Sequence, residues 1–272
     1  MRLADIQKRQ FLTAIYDYYE VYGRHSLPWR QPEPNGTFSP FKVLVSEIML
    51  QQTQVARVIP KYAEFLGQYP SIEALAVAEL SDVLRVWSGL GYNRRAKYLH
   101  QTSKALHQME DMPKDIGELV KLPGVGKNTA GAILAYSYNQ PALFIETNIR
   151  TVYIHHFFRG QSAVSDNDVL ALVGQTLDTA NSREFYWALM DYGSFLKQTH
   201  GNLNKLSKSY TQQTRFVGSL RQVRGEVLRQ LAAGPLATPK LKDTITDSRL
   251  PQVLATLLQE GLISKEGGTY RL

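Results

Sequence analysis

The sequence predicts a mainly α-helical protein with a small domain of helices and strands at its carboxyl end. Between residues 40 and 140, apolar residues recur at helical spacing, and proline and glycine punctuate the pattern. No alternating strand pattern of convincing length occurs there. Near the carboxyl end, helical segments at residues 219–231 and 250–260 precede two short strand-like runs separated by Gly267-Gly268. These observations indicate packed short helices followed by a winged-helix-like domain.

The composition narrows the class of protein. The 272 residues suffice for one large domain or for two to three small ones. A net charge of +7 favours a polyanionic partner. The chain has no cysteine, which excludes disulfides, iron–sulfur clusters and cysteine-ligated zinc. No apolar run is long enough to span a bilayer, so we expect a cytoplasmic, nucleoid-associated protein without a membrane partner.

The first helix is predicted over residues 6–22, because aromatic and aliphatic side chains recur there at helical spacing. Leu27-Pro28-Trp29-Arg30 follows, and a loop rich in proline and glycine then occupies residues 31–40. We expect the apolar stripe of the helix to pack into the core. Trp29 can be explained in the same way, as a side chain that packs into the core.

Glu47 is the first candidate for chemistry. It interrupts an apolar run, Val43 to Val55, on a helix that should be largely buried. Burial of a carboxylate is costly unless the group is paired or its pKa rises, and a raised pKa is what a general acid needs near neutral pH. The alternative is a glutamate bonded to a buried backbone group or to an arginine.

A glycine turn is the second candidate. Gly124-Val125-Gly126 allows backbone angles that are closed to other residues and leads directly into a helix that starts at Lys127. The free N–H groups at such a helix start favour an anion such as a phosphate. An ordinary turn between two packed helices is the competing interpretation.

Glu146 is the third candidate. It follows an apolar run, residues 142–145, and precedes a predicted helix start at Thr147. Glutamate is a poor N-cap, so capping does not explain it, and we expect Thr147 to cap the helix.

Four motifs in order resemble the helix-hairpin-helix (HhH-GPD) DNA glycosylase superfamily, and most closely its MutY-type adenine glycosylases. They are SEIMLQQTQV at 46–55, GLGYNRRAKYLH at 89–100, LPGVGKNTAGAIL at 122–134, and the acid before TNIRTV at 146. The likeness extends over about residues 22–195. It implies a two-domain helical glycosylase fold and an enzyme of base excision repair that removes adenine mispaired with guanine or 8-oxoguanine from double-stranded DNA.

The resemblance implies roles for further residues. The side chains that would enclose the extruded base or insert into the base stack are Leu27, Trp29, Arg30, Gln51, Gln52, Tyr92 and Asn128. Those that would contact DNA phosphates are Gly124, Val125, Gly126, Lys127, Thr129, Arg94 and Arg95. Asn93 stands where well-known members have a second aromatic residue, so that contact should differ.

The reaction type follows from the residue at position 128. Superfamily members that also cut the strand have lysine here, whose amine forms a Schiff base at C1′. Asn128 therefore predicts a monofunctional hydrolase. In the expected mechanism Glu47 protonates the purine, Glu146 stabilises the oxocarbenium ion, and Asn148 orients Glu146 or a water.

Three departures from the family qualify this prediction. The family acid at position 146 is aspartate, and glutamate reaches about 1.5 Å further. The family's iron–sulfur cluster is missing, and residues 197–208, which are polar and basic, stand in its place and are expected to contact phosphate directly. The carboxyl-terminal domain is not the family's 8-oxoguanine-recognition domain. No metal or organic cofactor is expected, apart from a monovalent ion, Ca²⁺ or Mg²⁺ at the hairpin when DNA is bound.

We predict three domains in a monomeric protein. A helical domain with the hairpin covers residues 32–139, a second helical domain covers 1–31 and 140–215, and the winged-helix-like domain covers 216–272. Two other functions stay open. One is a glycosylase for T/G or U/G mismatches, and the other is a catalytically inactive DNA-binding protein.

Overall fold

The computed structural model describes residues 1–109 and 111–272, and it confirms a mainly helical chain with a small carboxyl-terminal sheet. Within the described residues, no helix has both the length and the apolar character required to cross a membrane. The predicted first helix is present as Asp5–Tyr22, and its core face carries Phe11, Ile15 and Tyr19.

The helices and strands are numbered in chain order. The α-helices are α1 Asp5–Tyr22, α2 Pro40–Leu50, α3 Val55–Gln68, α4 Ile72–Ala76, α5 Leu80–Trp87, α6 Arg94–His107, α7 Ile116–Leu119, α8 Lys127–Tyr138, α9 Thr147–Phe157, α10 Asp166–Thr176, α11 Ser182–His200, α12 Leu220–Ala233, α13 Thr238–Thr244 and α14 Leu250–Gln259. The strands are β1 Leu236–Ala237, β2 Ser264–Glu266 and β3 Thr269–Arg271, and short 3₁₀ helices cover Pro28–Arg30 and Leu203–Leu206.

The chain forms two compact units. Unit 1 comprises Met1–Glu47 and Pro113–Thr211, and unit 2 comprises Ile48–Met112 and Gln212–Leu272. The division falls inside α2, directly after Glu47. These units do not coincide with the three predicted segments, whose bounds stay a prediction.

Unit 1 is built around α11. This helix packs against α9 and α1, and α10 packs against α9. The approach of α9 to α11 depends on Gly193, because a Cβ there would collide with the backbone carbonyl of Asn148. The two helices therefore lie close enough for backbone to touch backbone.

Unit 2 combines α3–α6 with the carboxyl-terminal domain. Trp87 of α5 is fully buried and meets Phe65 of α3 edge-on. The sheet has the order β1-β3-β2 with antiparallel pairs, and its central strand buries Tyr270. Three helices and this sheet confirm the winged-helix-like prediction. The domain packs against α5 through α12.

The sequence did not indicate β1 or α13. A strand of two residues is too short to show an alternating pattern, and it forms only because β3 supplies its hydrogen-bonding partner. Thr238-Pro239 starts α13 directly after it, with proline in the first turn, where its missing N–H costs nothing.

A buried ion pair fastens the amino-terminal segment to α11 in unit 1. Both terminal nitrogens of Arg30 donate to the Asp191 carboxylate, at 2.8 and 2.9 Å, and the backbone N–H and Nε of Arg24 donate to it at 2.7 Å. Burial alone would raise the pKa of Asp191, but the hydrogen bonds and charge of Arg30, with the charge of Arg24, hold it below its usual value.

We predict that Asp191→Asn destabilises the protein by about 3–5 kcal/mol, because it leaves the buried Arg30 guanidinium without its counter-charge. Urea denaturation measures the loss. The control is Asp17→Asn, which neutralises an exposed carboxylate on α1 in the same unit. Equal stability of the two variants would refute the assignment of Asp191 as a structural anchor.

Candidate active site

Helix α2 presents Glu47 from an otherwise apolar surface. Five neighbours on the same helix, Val43, Leu44, Val45, Ile48 and Met49, are buried. Glu47 keeps part of its surface accessible to solvent, as does Glu146. The helix is therefore anchored by its apolar side chains, while its one carboxyl group faces a space that water can reach.

Glu146 occupies the N-cap position of α9, but its side chain does not cap the helix. Its backbone carbonyl accepts the bond from Arg150 N–H at 2.9 Å, which leaves the carboxyl group available for another contact. The expectation that Thr147 caps the helix is wrong, because Thr147 is already the first helical residue. An N-terminal helix end favours the ionised form of a carboxylate that lies there.

The carboxyl groups of Glu47 and Glu146 form a hydrogen bond with each other. Burial, the charge of Glu146 and this bond raise the pKa of Glu47 well above its usual value, and the charge of Arg30 offsets only part of the effect. Burial raises the pKa of Glu146 to about 7 despite the bond that Glu47 provides. Glu47 is therefore the partner that holds its proton to higher pH and donates it in the hydrogen bond, and the pair keeps this one proton once Glu146 has ionised above about pH 7.

Aromatic side chains border this pair. Tyr136 is buried, and burial together with the charges of Glu47 and Glu146 raises the pKa of its hydroxyl well above the usual value. Its ring stacks on Trp187 at 6.0 Å, and the Arg30 guanidinium lies over Trp187 at 5.2 Å. The pair therefore has the buried Tyr136 beside it, and the charge of Arg30, which lowers the pKa of Glu47, is shared with Asp191.

Asn128 fixes the backbone that leads into Glu146. Its amide nitrogen donates to the Ile145 carbonyl at 2.6 Å, and its amide oxygen accepts from the Ile145 N–H at 3.3 Å. These two bonds set the direction in which the chain enters α9. Asn128, which the family resemblance linked to the reaction type, therefore also holds Glu146 in place.

The role expected for Asn148, to orient Glu146 or a water, stays a prediction, and the described hydrogen bond of its amide nitrogen does not reach Glu146. This nitrogen donates instead to the Met190 carbonyl at 3.1 Å, which ties α9 to α11. The close approach at Gly193 fixes the position of Asn148, so the structure gives it a role in helix packing.

The segment expected to replace the cluster helps to hold the start of α9. Asn204 is buried, and its amide nitrogen donates to the Thr147 carbonyl at 3.2 Å and to the Thr151 hydroxyl at 2.8 Å. The backbone on either side of Ser207 pairs with Val164. Lys197, Lys205 and Lys208 are exposed, and their contact with phosphate stays a prediction.

The hairpin runs from α7 through the glycine turn into α8. Asp115 caps α7, Gly124 adopts φ 75°, and Gly126 stands at the N-cap of α8, where it contributes no side-chain acceptor. Gly124, Gly126 and Lys127 are exposed, whereas the side chains of Val125 and Thr129 are buried. The exposed backbone and Lys127 fit an anion site, and the parts of Val125 and Thr129 in it stay a prediction.

Leu27, Trp29 and Arg30 are buried in unit 1. Arg30 is committed to Asp191, so its effect on the carboxyl pair is electrostatic. A role for Leu27 and Trp29 in enclosing a base stays a prediction.

In unit 2, Arg95 has a place that the sequence did not suggest. It is 8% exposed, and its terminal nitrogens donate to the carbonyls of Ile48, Met49, Gln51, Leu90 and Gly91. Burial lowers its pKa to about 10. Its guanidinium is enclosed by backbone oxygens, and the expected contact of Arg95 with a DNA phosphate stays a prediction. Arg95 ties the end of α2 to the loop before Tyr92.

The other predicted residues of unit 2 lie at the surface. Gln52 and Tyr92 are exposed and have positive φ angles, 56° and 48°. Arg94 is bonded to the Tyr98 hydroxyl at 2.8 Å and could still approach a phosphate. Gln51 is partly exposed.

Sequence reasoning missed Tyr136, Trp187 and Asp191 as parts of this site. Aromatic residues on helices are typical of cores, and the pairing of Asp191 with Arg30 spans 161 positions. The described residues contain no group of three or more histidine and acidic side chains suited to hold a metal ion.

Comparisons with known proteins identify the family of this chain. Residues 45–168 match the HhH-GPD superfamily of base excision DNA repair proteins. The chain is similar to the adenine DNA glycosylase of Buchnera aphidicola subsp. Baizongia pistaciae, with 35% identity over 68% of this chain and 52% of that protein. It is also similar to that of Mycolicibacterium smegmatis, with 31% identity over 96% of this chain and 97% of that protein.

The chain spans about half the length of some relatives, including the one from Buchnera, and nearly the whole length of the one from Mycolicibacterium. Among solved structures, a thermostable thymine-DNA glycosylase has the same fold, with a TM-score of 0.61 at 20% identity over 74% of this chain and 95% of that one. With Glu47, the glycine hairpin and Glu146 all inside the matched region, the chain belongs to the adenine DNA glycosylase family of the HhH-GPD superfamily.

Proposed function

We propose that the protein is a monofunctional DNA N-glycosylase that extrudes adenine paired with guanine or 8-oxoguanine and hydrolyses its glycosidic bond. The observation that carries the proposal is the hydrogen bond between the carboxyl groups of Glu47 and Glu146, which requires one of the two to hold a proton. Cleavage of the glycosidic bond needs a proton donor for the base and a negative charge for the sugar, and the pair supplies both from one protonation state.

The proposed reaction begins when the extruded adenine displaces Glu146 as the hydrogen-bond acceptor of Glu47. Glu47 then protonates a ring nitrogen of adenine, and the C1′–N9 bond breaks with its electron pair leaving on the base. The ionised Glu146 stabilises the positive charge that develops at C1′. A water adds to C1′, and its proton returns to Glu47, which restores the starting state.

Binding of double-stranded DNA is part of the proposal. The exposed amides of the glycine turn and Lys127 would hold a phosphate, as would Arg94. Gln52 and Tyr92 would enter the base stack when the nucleotide leaves it. The similarity to adenine DNA glycosylases supports adenine as the released base.

Strand cleavage is not expected. The position at which an amine would attack C1′ holds Asn128, which is bonded to Ile145. The side chain of Lys127 projects about 100° around the helix from it. We therefore expect a product strand that contains an abasic site and breaks only when heated with alkali.

We predict that Glu47→Gln and Glu146→Gln each slow adenine release at least about 100-fold while the protein still binds the duplex, because each removes one half of the charge separation. The assay uses labelled duplexes with A opposite G, A opposite 8-oxoguanine, T opposite G and U opposite G, followed by hot alkali. The exposed Glu20→Gln variant is the control. Unchanged release in either site variant would contradict the assigned roles, and release of thymine or uracil alone would contradict the assigned substrate.

We predict a bell-shaped pH dependence of kcat/KM for adenine release. The rate should rise as Glu146 loses its proton near pH 7 and fall at higher pH as Glu47 loses its own. The two sides of the profile then give the two apparent pKa values of the carboxyl pair. Single-turnover rates across the pH range measure it. A profile that is flat from acid to alkaline pH would show that the shared proton takes no part.

We predict that ionisation of Glu47 and Glu146 lowers the free energy of unfolding at alkaline pH. Because the pKa of both carboxyls is raised on folding, the folded state binds protons more tightly than the unfolded state, and stability falls as pH rises from about 4.5 through about 7. Of the two carboxyls, Glu47 loses its proton less readily in the folded state, and Glu47→Gln removes that unfavourable ionisation. The Tm of this variant should therefore exceed that of the parent protein by a few degrees at alkaline pH and by less in acid. A Tm difference that does not depend on pH would contradict this.

A further inference from the structure

Residues 212–221 of unit 2 lie beside the two exposed side chains that are proposed to enter the base stack. The amide nitrogen of Gln213 donates to the Gln52 side-chain oxygen and, at 2.8 Å, to the Tyr92 hydroxyl. Gln213, Gln52 and Tyr92 are all exposed. A segment that leads into the carboxyl-terminal domain thus places an amide side chain between the two predicted insertion residues.

Arg221 joins the same cluster from α12. One terminal nitrogen donates to the Tyr92 hydroxyl at 2.8 Å and to the Gln213 side-chain oxygen at 3.4 Å, and the other donates to the Thr214 carbonyl. Its described contacts are to neutral groups. The guanidinium therefore lies close to Tyr92 with no carboxylate among its described contacts, and it is oriented by its own segment.

The backbone supports a functional interpretation of this cluster. Gln52 and Tyr92 are not glycines, yet both adopt the left-handed conformation. Residues other than glycine rarely adopt this conformation, and they persist in it where the surrounding structure enforces it. Here Arg95 bonds to the carbonyls of Gln51 and Gly91, the residues that precede Gln52 and Tyr92, and so holds both loops in place.

The donors and acceptors of the cluster match one kind of base. Extrusion of a nucleotide exposes the Watson–Crick edge of the base that it leaves behind. On guanine that edge offers the O6 acceptor next to the N1–H donor, so one carboxamide can donate to O6 and accept from N1–H, and an arginine can add a second donor to O6. Cytosine offers an amino donor in place of O6, and this donor would face the guanidinium unpaired.

We propose that Gln213 and Arg221 determine opposite-base specificity by binding the Watson–Crick edge of the guanine left in the duplex. The inference rests on the proposed function for the extrusion of a nucleotide. The modification in 8-oxoguanine lies on the other side of the ring, so these two residues treat guanine and 8-oxoguanine alike. The carboxyl-terminal domain thereby supplies specificity through the segment that leads into it.

Binding is measured first, without chemistry. Duplexes carry a tetrahydrofuran abasic analogue opposite guanine, 8-oxoguanine or cytosine. The full-length protein should bind the guanine and 8-oxoguanine duplexes equally and the cytosine duplex roughly 5- to 150-fold more weakly. In Gln213→Ala and Arg221→Ala the ratio of the affinity for the guanine duplex to that for the cytosine duplex should fall toward one. Gln213→Glu keeps the shape but loses the donor to O6, so its preference should move toward cytosine.

The control is Arg215→Ala, which removes the same charge from an exposed position in the same segment. It should weaken binding to all three duplexes evenly and leave the guanine preference intact. Thermal unfolding confirms that each variant is folded, which is expected because the altered side chains lie at the surface.

Three results would overturn the inference: no guanine preference in the parent protein, an intact preference in the Gln213 and Arg221 variants, or an equal loss of preference in Arg215→Ala. Adenine release from the A-opposite-G duplex is measured in parallel. If the parent protein releases no base but the binding preference depends on Gln213 and Arg221, the proposed function fails and this inference stands.

Discussion

One proton held between Glu47 and Glu146 is the constraint on which the account of this protein depends. Two carboxyls so close cannot both ionise without large repulsion, and burial makes each charge costlier still. The surrounding contacts keep them together. Asn128 fixes the backbone before Glu146, and the apolar face of α2 anchors Glu47. Arg30 offsets only part of the negative charge of the pair, because the Arg30 guanidinium is itself paired with Asp191.

The chain uses buried arginines to place loops. Arg30 joins an amino-terminal turn to α11, and Arg95 joins the end of α2 to the loop before Tyr92. A buried guanidinium has several donors in a fixed plane and can satisfy carbonyls from separate segments at once. Both therefore act as rigid connectors for residues proposed to contact substrate.

The sequence predicted those parts of the site whose signal is local. Glu47 shows itself as a carboxylate in an apolar run, the hairpin as paired glycines before a helix, and Glu146 as an acid at a helix start that does not cap well. The glutamate in place of the family aspartate is also visible, and the structure shows that its carboxyl reaches Glu47.

The rest depends on contacts between distant segments, which periodicity does not reveal. Arg95 looks like part of a basic surface run, but it is enclosed by carbonyls from residues more than 40 positions away. The bond of Asn148 to the Met190 carbonyl of α11 depends on the close packing at Gly193 and has no signal in the sequence. Gln213 lies in a polar stretch with no motif, and only the fold brings it to Tyr92.

The shared proton can be observed directly by infrared spectroscopy of the DNA-free protein, since a protonated carboxyl has a carbonyl band separate from that of a carboxylate. At about pH 8 the account predicts a protonated-carboxyl band that Glu47→Gln lacks and that Glu146→Gln loses at lower pH than the parent protein, because the neighbouring charge is gone. Absence of any protonated-carboxyl band at that pH in the parent protein would contradict the central claim.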